Sequence, residues 1–352
     1  MDKKISVVIP FYKGERYINE AVNSILDQPY KDIEIVLIND GSPTGEEVCL
    51  EIANSDSRVK YFTKPNEGIG ATRNYGIERA SGNYLAFLDQ DDVWVKGFLN
   101  EDTVESIMNG GDVIGFSFFN TNNNFSRGNH VRMQPTEVFG GKDAAQECKN
   151  HHSSMFYSRT LLKNKDVRYA LTRHEDVIFL RKALYVAKRI TYIDRVMFLY
   201  RNNYTSETHR KQKTEELYAP ILNSWKELLA WHERNYADDK ETIQTIKHMI
   251  CVYAMEGVEQ LYQSGISKEE AEIVIDKCLC RDYLDNYQNL CLSENRIQQI
   301  GRYYNDRGAF IREQHKLGRK NRILNYLKHS TCFRKLNDFK KYSVKLEKGL
   351  YT

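Results

Sequence analysis

Three carboxylates occupy four positions at Asp89-Gln90-Asp91-Asp92, directly after the apolar run Leu85-Ala86-Phe87-Leu88. An apolar run of that length reads as a buried strand. Carboxylates crowded at its end repel one another unless a cation sits among them. Asp oxygens suit a hard divalent ion such as Mg2+ or Mn2+, and a magnesium held by few carboxylates fills its shell with substrate phosphates. The cluster therefore points to a phosphorylated substrate, with an acidic turn capping the next helix as the alternative. A second acidic pair follows at His174-Glu175-Asp176, opening a helical segment over 175–188. A carboxylate there can take a proton from a substrate hydroxyl, or can simply favour the positive end of a helix dipole.

The elements that must position these groups alternate. Ile5-Ser6-Val7-Val8-Ile9 is a β-rich run ended by Pro10, and residues 15–28 have helical spacing through Ile18, Val22, Ile25 and Leu26. A second strand, 33–38, ends at Asn39-Asp40-Gly41-Ser42; a helix spans about 44–54, a third strand 59–62, a loop enters a helix over 68–80, and 84–88 is the fourth strand. Such alternation implies parallel pairing in an open α/β sheet, whose ligands bind beyond the carboxyl ends of the strands. Residues 39–42 and 89–92 both fall at that edge. Residues 110–158 look irregular, and the Asn-rich stretch 120–129 is expected to be a mobile loop beside the site. Segment 153–158 reads as another strand, as does 190–200. From 211 to 311 the spacing is helical, for example Leu217, Ile221, Leu222, Trp225, Leu228 and Leu229. The domains are thus expected at 1–210, 211–311 and a tail, 312–352.

Hydrophobic content of 41% in 352 residues supports a sizeable core. No apolar run approaches the ~18 residues that cross a bilayer. No signal peptide is visible, and seven scattered cysteines without zinc-ligand spacing read as reduced thiols, so a cytoplasmic location is expected. Net charge is only +3, yet Arg312 to Thr352 holds twelve Lys/Arg against three Asp/Glu. Leu336, Phe339, Ser343, Leu346 and Leu350 in this tail fall at helical spacing. A basic amphipathic helix reads as a peripheral anionic-membrane anchor, or as a helix packed on its own chain or a partner subunit; a homo-oligomer is left open. Nucleic acid is not expected as a partner, since no recognised module accompanies the basic run.

Four segments occur in order: Val7-Val8-Ile9-Pro10-Phe11-Tyr12, Ile38-Asn39-Asp40-Gly41-Ser42, Asn66-Glu67-Gly68-Ile69-Gly70-Ala71-Thr72-Arg73-Asn74, and Phe87-Leu88-Asp89-Gln90-Asp91-Asp92. Over about residues 1–210 the chain resembles the family 2 inverting glycosyltransferases of GT-A fold. That resemblance implies a Rossmann-like, mostly parallel sheet flanked by helices, followed here by a helical region. It also implies a donor site built from Pro10, Asp40, Arg73, Asp89, Gln90 and Asp91. Asp40 would bind the nucleotide base or ribose as an exposed strand-end carboxylate, Asp89 would face the ribose, and Asp91 would hold Mn2+ or Mg2+ on the diphosphate. Asp89 and His209 are further metal candidates. Arg73 would touch the diphosphate, orient the Asp pair, or form a structural Arg–Asp bridge. Asp92 is an outer ligand or a helix cap; Trp94 walls the donor pocket or is buried; Arg201 contacts phosphate. Asp176 resembles the family's catalytic base, with Glu175 as the fallback. The implied reaction moves a hexose or N-acetylhexosamine from a UDP-sugar to a glycan hydroxyl, on a lipid-linked intermediate of capsule or cell-surface polysaccharide. The rival readings are a catalytically inactive nucleotide-sugar or glycan-binding module, and a sugar-phosphate nucleotidyltransferase.

Overall fold

The structure is a computed structural model that describes residues 3–146, 151–164, 166–202, 213–286, 294–329 and 344–345. The chain forms two compact units. The first comprises residues 1–171, 175–209 and 342–352, and the second 172–174 and 210–341.

The first unit is a mixed sheet flanked by helices. In chain order it runs β1 (Ile5–Phe11), α1 (Ile18–Leu26), β2 (Ile33–Asp40), α2 (Glu46–Ser55), β3 (Val59–Lys64), α3 (Ile69–Arg79), β4 (Tyr84–Phe87), β5 (Val93–Trp94), α4 (Glu101–Asn109), β6 (Val113–Thr121), β7 (Arg127–Val131), β8 (Thr136–Val138), α5 (Lys142–Gln146), β9 (Met155–Ser158), α6 (Arg159–Asn164), α7 (Glu175–Val186) and β10 (Ile190–Arg201). β3, β2, β1 and β4 pair in parallel, in that order; antiparallel β9 joins β4 to β6, and β10 runs parallel to β6.

β1 and β2 are buried along their whole length because helices cover both sheet faces. Ile5, Val7, Ile9 and Phe11 join Ile33, Ile35 and Leu37 against the α1 residues Ile18, Val22 and Ile25. Val8, Val36 and Ile38 face the other way, with Ile77 of α3 and Phe179, Leu180 and Leu184 of α7. Gly76 permits that packing: a Cβ there would stand 2.4 Å from Val8 Cγ1. At the amino end of the sheet, Glu34 is buried, accepts from Ser6 Oγ at 2.5 Å and Ser81 Oγ at 2.8 Å, and pairs with Lys4 at 2.8 Å.

The Asn-rich segment is ordered rather than a mobile loop. β6 and β7 form an antiparallel hairpin whose turn is closed by Phe125 N donating to Asn122 O at 3.1 Å. Turn-forming asparagines between the nine-residue β6 and the five-residue β7 hid the pairing. β11 (Val344–Lys345) pairs antiparallel with β7 at Gly128 and Arg127. The expected tail helix therefore does not run through 344–345; its other anchors, Leu336, Phe339, Ser343, Leu346 and Leu350, lie outside the described residues.

The second unit is helical: α8 (Thr214–Asn235), α9 (Lys240–Ser264), α10 (Lys268–Cys278), α11 (Arg281–Asp285), α12 (Glu294–Asn305) and α13 (Arg307–His329). Local capping sets its breaks. Asp239 accepts from Thr242 N at 3.1 Å to open α9, and Ser267 with Glu270 forms a capping box on α10. Trp225, Leu228, Ile246, Ile250 and Val258 are among its buried side chains. Among the described residues no helix is long and apolar enough to cross a membrane.

Candidate active site

β4 delivers the acidic cluster to the carboxyl edge of the sheet. Leu88 N still donates to Val8 O at 3.1 Å, and the chain then reverses in a turn closed by Asp92 N donating to Asp89 O at 3.0 Å. The turn feeds strand β5, so Asp92 caps no helix. Its side chain is 1% exposed, and Oδ1 accepts the Arg201 N–H at 2.8 Å. Burial, then the negative charges of Asp91 and Asp89, push the Asp92 carboxyl well above the ordinary range. Trp94 does not line a pocket; it is fully buried against Phe98 and Phe156.

Gln90 is used as a clasp. Its Nε2 donates to Tyr12 O and its Oε1 accepts from Tyr12 N, both at 2.9 Å. This ties the loop after β1 to the acidic turn. Gly14 leaves room for the clasp, because a Cβ there would come 2.2 Å from Gln90 Oε1 and displace it. Pro10 is a buried residue of β1 opposite Ile38, beyond the point where pairing with β4 ends, which suits a residue lacking an N–H.

Arg73 is held on α3, which is opened by Gly68 at φ +90°. Its guanidinium is buried and forked. Nη2 meets Asp89 Oδ1 at 2.6 Å, Nη1 meets Glu175 Oε1 at 2.9 Å, and the group lies over the Tyr169 ring. The bridging alternative for Arg73 is the one the geometry adopts. Burial disfavours the Asp89 carboxylate, but Arg73 outweighs it and holds the group below its ordinary range. For Glu175 burial wins, helped by Asp176, and its carboxyl lies above the ordinary range. Glu175 thus anchors the start of α7 on Arg73, which weakens it as the fallback base. Asp176 is half-buried; its Oδ1 accepts the Val177 N–H at 2.8 Å, the one hydrogen bond its side chain makes among the described residues.

Asp40 departs from expectation. It is buried, not exposed: Oδ1 accepts from Lys64 Nζ at 2.6 Å and Glu67 N at 3.1 Å, and Oδ2 accepts from Gly68 N at 3.0 Å. The β2–β3 register sets Lys64 directly opposite, and the 65–68 loop folds back over the strand end. Asn39 makes the local turn, accepting from Ser42 N at 2.8 Å. Arg201 is not available to phosphate either. Its Nε donates to Asp91 O and its Nη1 to Asn123 O, both at 2.6 Å, and Nη2 pairs with Glu20, so it clamps the acidic turn from below. His209 lies outside the described residues.

The structure adds residues that the sequence reading passed over. A single 3-10 turn, His152–Ser154, precedes β9. Atoms of His151, His152 and Asp176 lie within 4.8 Å of one another. His151 Nδ1 accepts from Ser153 N at 3.3 Å; His152 is bonded at both ring nitrogens, to Tyr169 Oη at 3.0 Å and Ser153 Oγ at 3.2 Å. Burial lowers the pKa of both rings, outweighing Asp89 and Asp176 at His151, and Arg73 adds to the effect at both, which favours the neutral imidazoles. Tyr200 faces the same space, its phenol pushed up to about 12 by burial and then by Asp92, Asp89, Asp91 and Asp176. The sequence signal for the two histidines was their adjacency before an apolar strand, and for Tyr200 its place beside Arg201 at the end of the 190–200 strand.

Two donor sets could hold a cation. His152 is already engaged at both nitrogens, so the His151–His152–Asp176 group fits a metal poorly. Asp91 and Asp89 offer hard oxygens, and the like-charge crowding that raises the Asp92 pKa would be relieved by a divalent ion bound there.

Residues 6–170 match the family described as glycosyl transferase family 2. The uncharacterized glycosyltransferase EpsJ of Bacillus subtilis (strain 168) is 29% identical over 58% of this chain and 62% of its own length. The minor teichoic acid biosynthesis protein GgaB of the same organism is 31% identical over 45% of this chain and 18% of its own length. The chain therefore spans less than two thirds of either relative. The crystal structure of S. aureus TarS 1-349 in complex with UDP-GlcNAc is 19% identical, covers 81% of this chain and 92% of that one, and superposes with a TM-score of 0.53. With the sheet, the acidic turn at its edge and these likenesses together, residues 6–170 belong to glycosyl transferase family 2, and the unit that holds them has the GT-A fold.

Proposed function

We propose that the chain transfers a hexose or N-acetylhexosamine from a UDP-sugar to a hydroxyl of a glycan acceptor, with inversion at C1. The observation that carries this reading is Arg73: by gripping Asp89 and Glu175 together, it fixes the acidic turn and the adjacent Asp176 at one sheet edge. UDP-GlcNAc in TarS supports a UDP-sugar donor. The name of GgaB, a minor teichoic acid biosynthesis protein, supports a polymer of that kind as the product, and we take a lipid-linked glycan intermediate as the acceptor.

Asp91 and Asp89 would hold Mn2+ or Mg2+, which when bound neutralises charge on the leaving diphosphate. The chain's own residues do the rest. Asp176 accepts the acceptor hydroxyl proton as that oxygen bonds to C1, while the bond from C1 to the phosphate oxygen breaks on the opposite face. The Gln90–Tyr12 clasp and the Arg201 clamp keep the turn from shifting as the donor binds. The basic tail, 312–352, supports peripheral association with an anionic membrane carrying that acceptor.

A panel of nucleotide sugars, scored by released nucleotide with Mn2+ and again with EDTA, tests the reading. Release from a UDP-sugar that depends on an acceptor and stops in EDTA is the expected result. Release unaffected by EDTA removes the metal assignment, and no release from any donor removes the transfer reading.

A further inference from the structure

Between the Asp89–Asp92 turn and Asp176 stand two side chains that neither the cation chemistry nor the proton transfer uses. Tyr200 immediately precedes Arg201, whose N–H and Nε hold the turn, and its phenol lies close enough to Asp92, Asp89, Asp91 and Asp176 to feel the charge of all four. Its ring lies 5.3 Å from the His151 imidazole, centroid to centroid. On its far side, His151 brings a ring nitrogen within 4.8 Å of an Asp176 oxygen, with no hydrogen bond between the two side chains among the described residues. Phe118 and Phe198 flank the imidazole at 6.0 and 5.9 Å and fix its plane. Because Nδ1 accepts from Ser153 N, the hydrogen of the neutral ring sits on Nε2. His152, bonded at both nitrogens, has no such donor to offer.

The reaction restricts what can occupy this space. The leaving diphosphate belongs at the turn and the attacking oxygen at Asp176, so the group joining them is the transferred sugar. We propose that His151 and Tyr200 form its seat: the Tyr200 ring packs against a C–H face of the pyranose, and His151 Nε2–H donates to one of the sugar's oxygen substituents. This inference rests on the transfer reading above. It makes these residues determinants of sugar choice, separate from the groups that bind the nucleotide.

The test compares UDP with UDP-glucose, UDP-galactose, UDP-GlcNAc and UDP-GalNAc, each with Mn2+, by calorimetry on the full chain. In His151→Leu the affinity for UDP should stay as in the wild type, while affinity for the preferred UDP-sugar falls about tenfold, the worth of one hydrogen bond. His151→Gln, which places a donor near Nε2, should recover most of that loss. Tyr200→Phe should bind the sugar nucleotide normally and Tyr200→Leu should not. Equal weakening of UDP and UDP-sugar, or no weakening of the UDP-sugar, overturns the seat. A wild-type chain that binds UDP yet discriminates no UDP-sugar from it also overturns the seat, leaving the transfer reading to the release assay; a chain that binds none of the five overturns both.

Discussion

Arg73 Nη2 stands 2.6 Å from Asp89 Oδ1, and the other arm of the same guanidinium holds Glu175. The side chain is 2% exposed, so the interaction is strong only while both carboxylates are present. Replacing Arg73 by Met leaves two partly buried carboxylates without their cation. That should cost about 3–5 kcal/mol in a denaturant titration. Arg73→Lys keeps the charge but not the fork, so it should fold more stably than the Met variant and still lose donor turnover. Wild-type turnover in Arg73→Lys would show that the double grip is dispensable.

Asp176 and Glu175 are neighbours in sequence with different surroundings. Asp176→Asn should lower kcat by about a hundred- to ten-thousand-fold with little change in donor KM. Glu175→Gln should act mainly on stability, since its carboxylate is held by Arg73. If the two variants exchange these behaviours in steady-state kinetics and thermal melts, Glu175 is the base.

Asp92 and Asp91 should also separate. Burial, then the charges of Asp91 and Asp89, raise the Asp92 pKa well above the ordinary range and favour its neutral form, so Asp92→Asn is a near-isosteric change that preserves an acceptor for Arg201 N. We expect its melting temperature and Mn2+-dependent nucleotide binding to resemble the wild type. Asp91→Asn removes a proposed ligand and should abolish the Mn2+ dependence. Loss of binding in Asp92→Asn with retention in Asp91→Asn would place the ion elsewhere.

Far from the site, Glu34 provides a pH-dependent contribution to stability. Burial opposes its ionisation, but hydrogen bonds from Lys4, Ser6 and Ser81 outweigh burial and pull its pKa down to about 2. A depressed carboxylate stabilises the fold above its unfolded pKa, and that stability is lost as pH falls from about 4.5 towards 2. Glu34→Gln should therefore cost about 1–3 kcal/mol at pH 7. The difference from wild type in urea titrations should shrink between those two pH values. A difference independent of pH would mean packing, not charge, carries the effect.

The sequence by itself determined the strand–helix alternation of the first unit, the edge at which its polar clusters fall, and the helical second unit. These follow from local periodicity and from turn residues at strand ends, both readable within a dozen positions. It also brought Asp89, Asp91, Arg73 and Asp176 forward as the groups to watch. Tertiary structure decided what each polar group faces. The β2–β3 register put Lys64 against Asp40 and buried it; the passage of β10 beside β5 and β6 turned Arg201 onto the backbone of the acidic turn. The packing of β9 between β4 and β6 brought His151 to Asp176 from a stretch that read as irregular. A side chain's type and spacing state which bonds it can make. Only long-range pairing, set by burying both faces of one sheet, states which partner is there to make them.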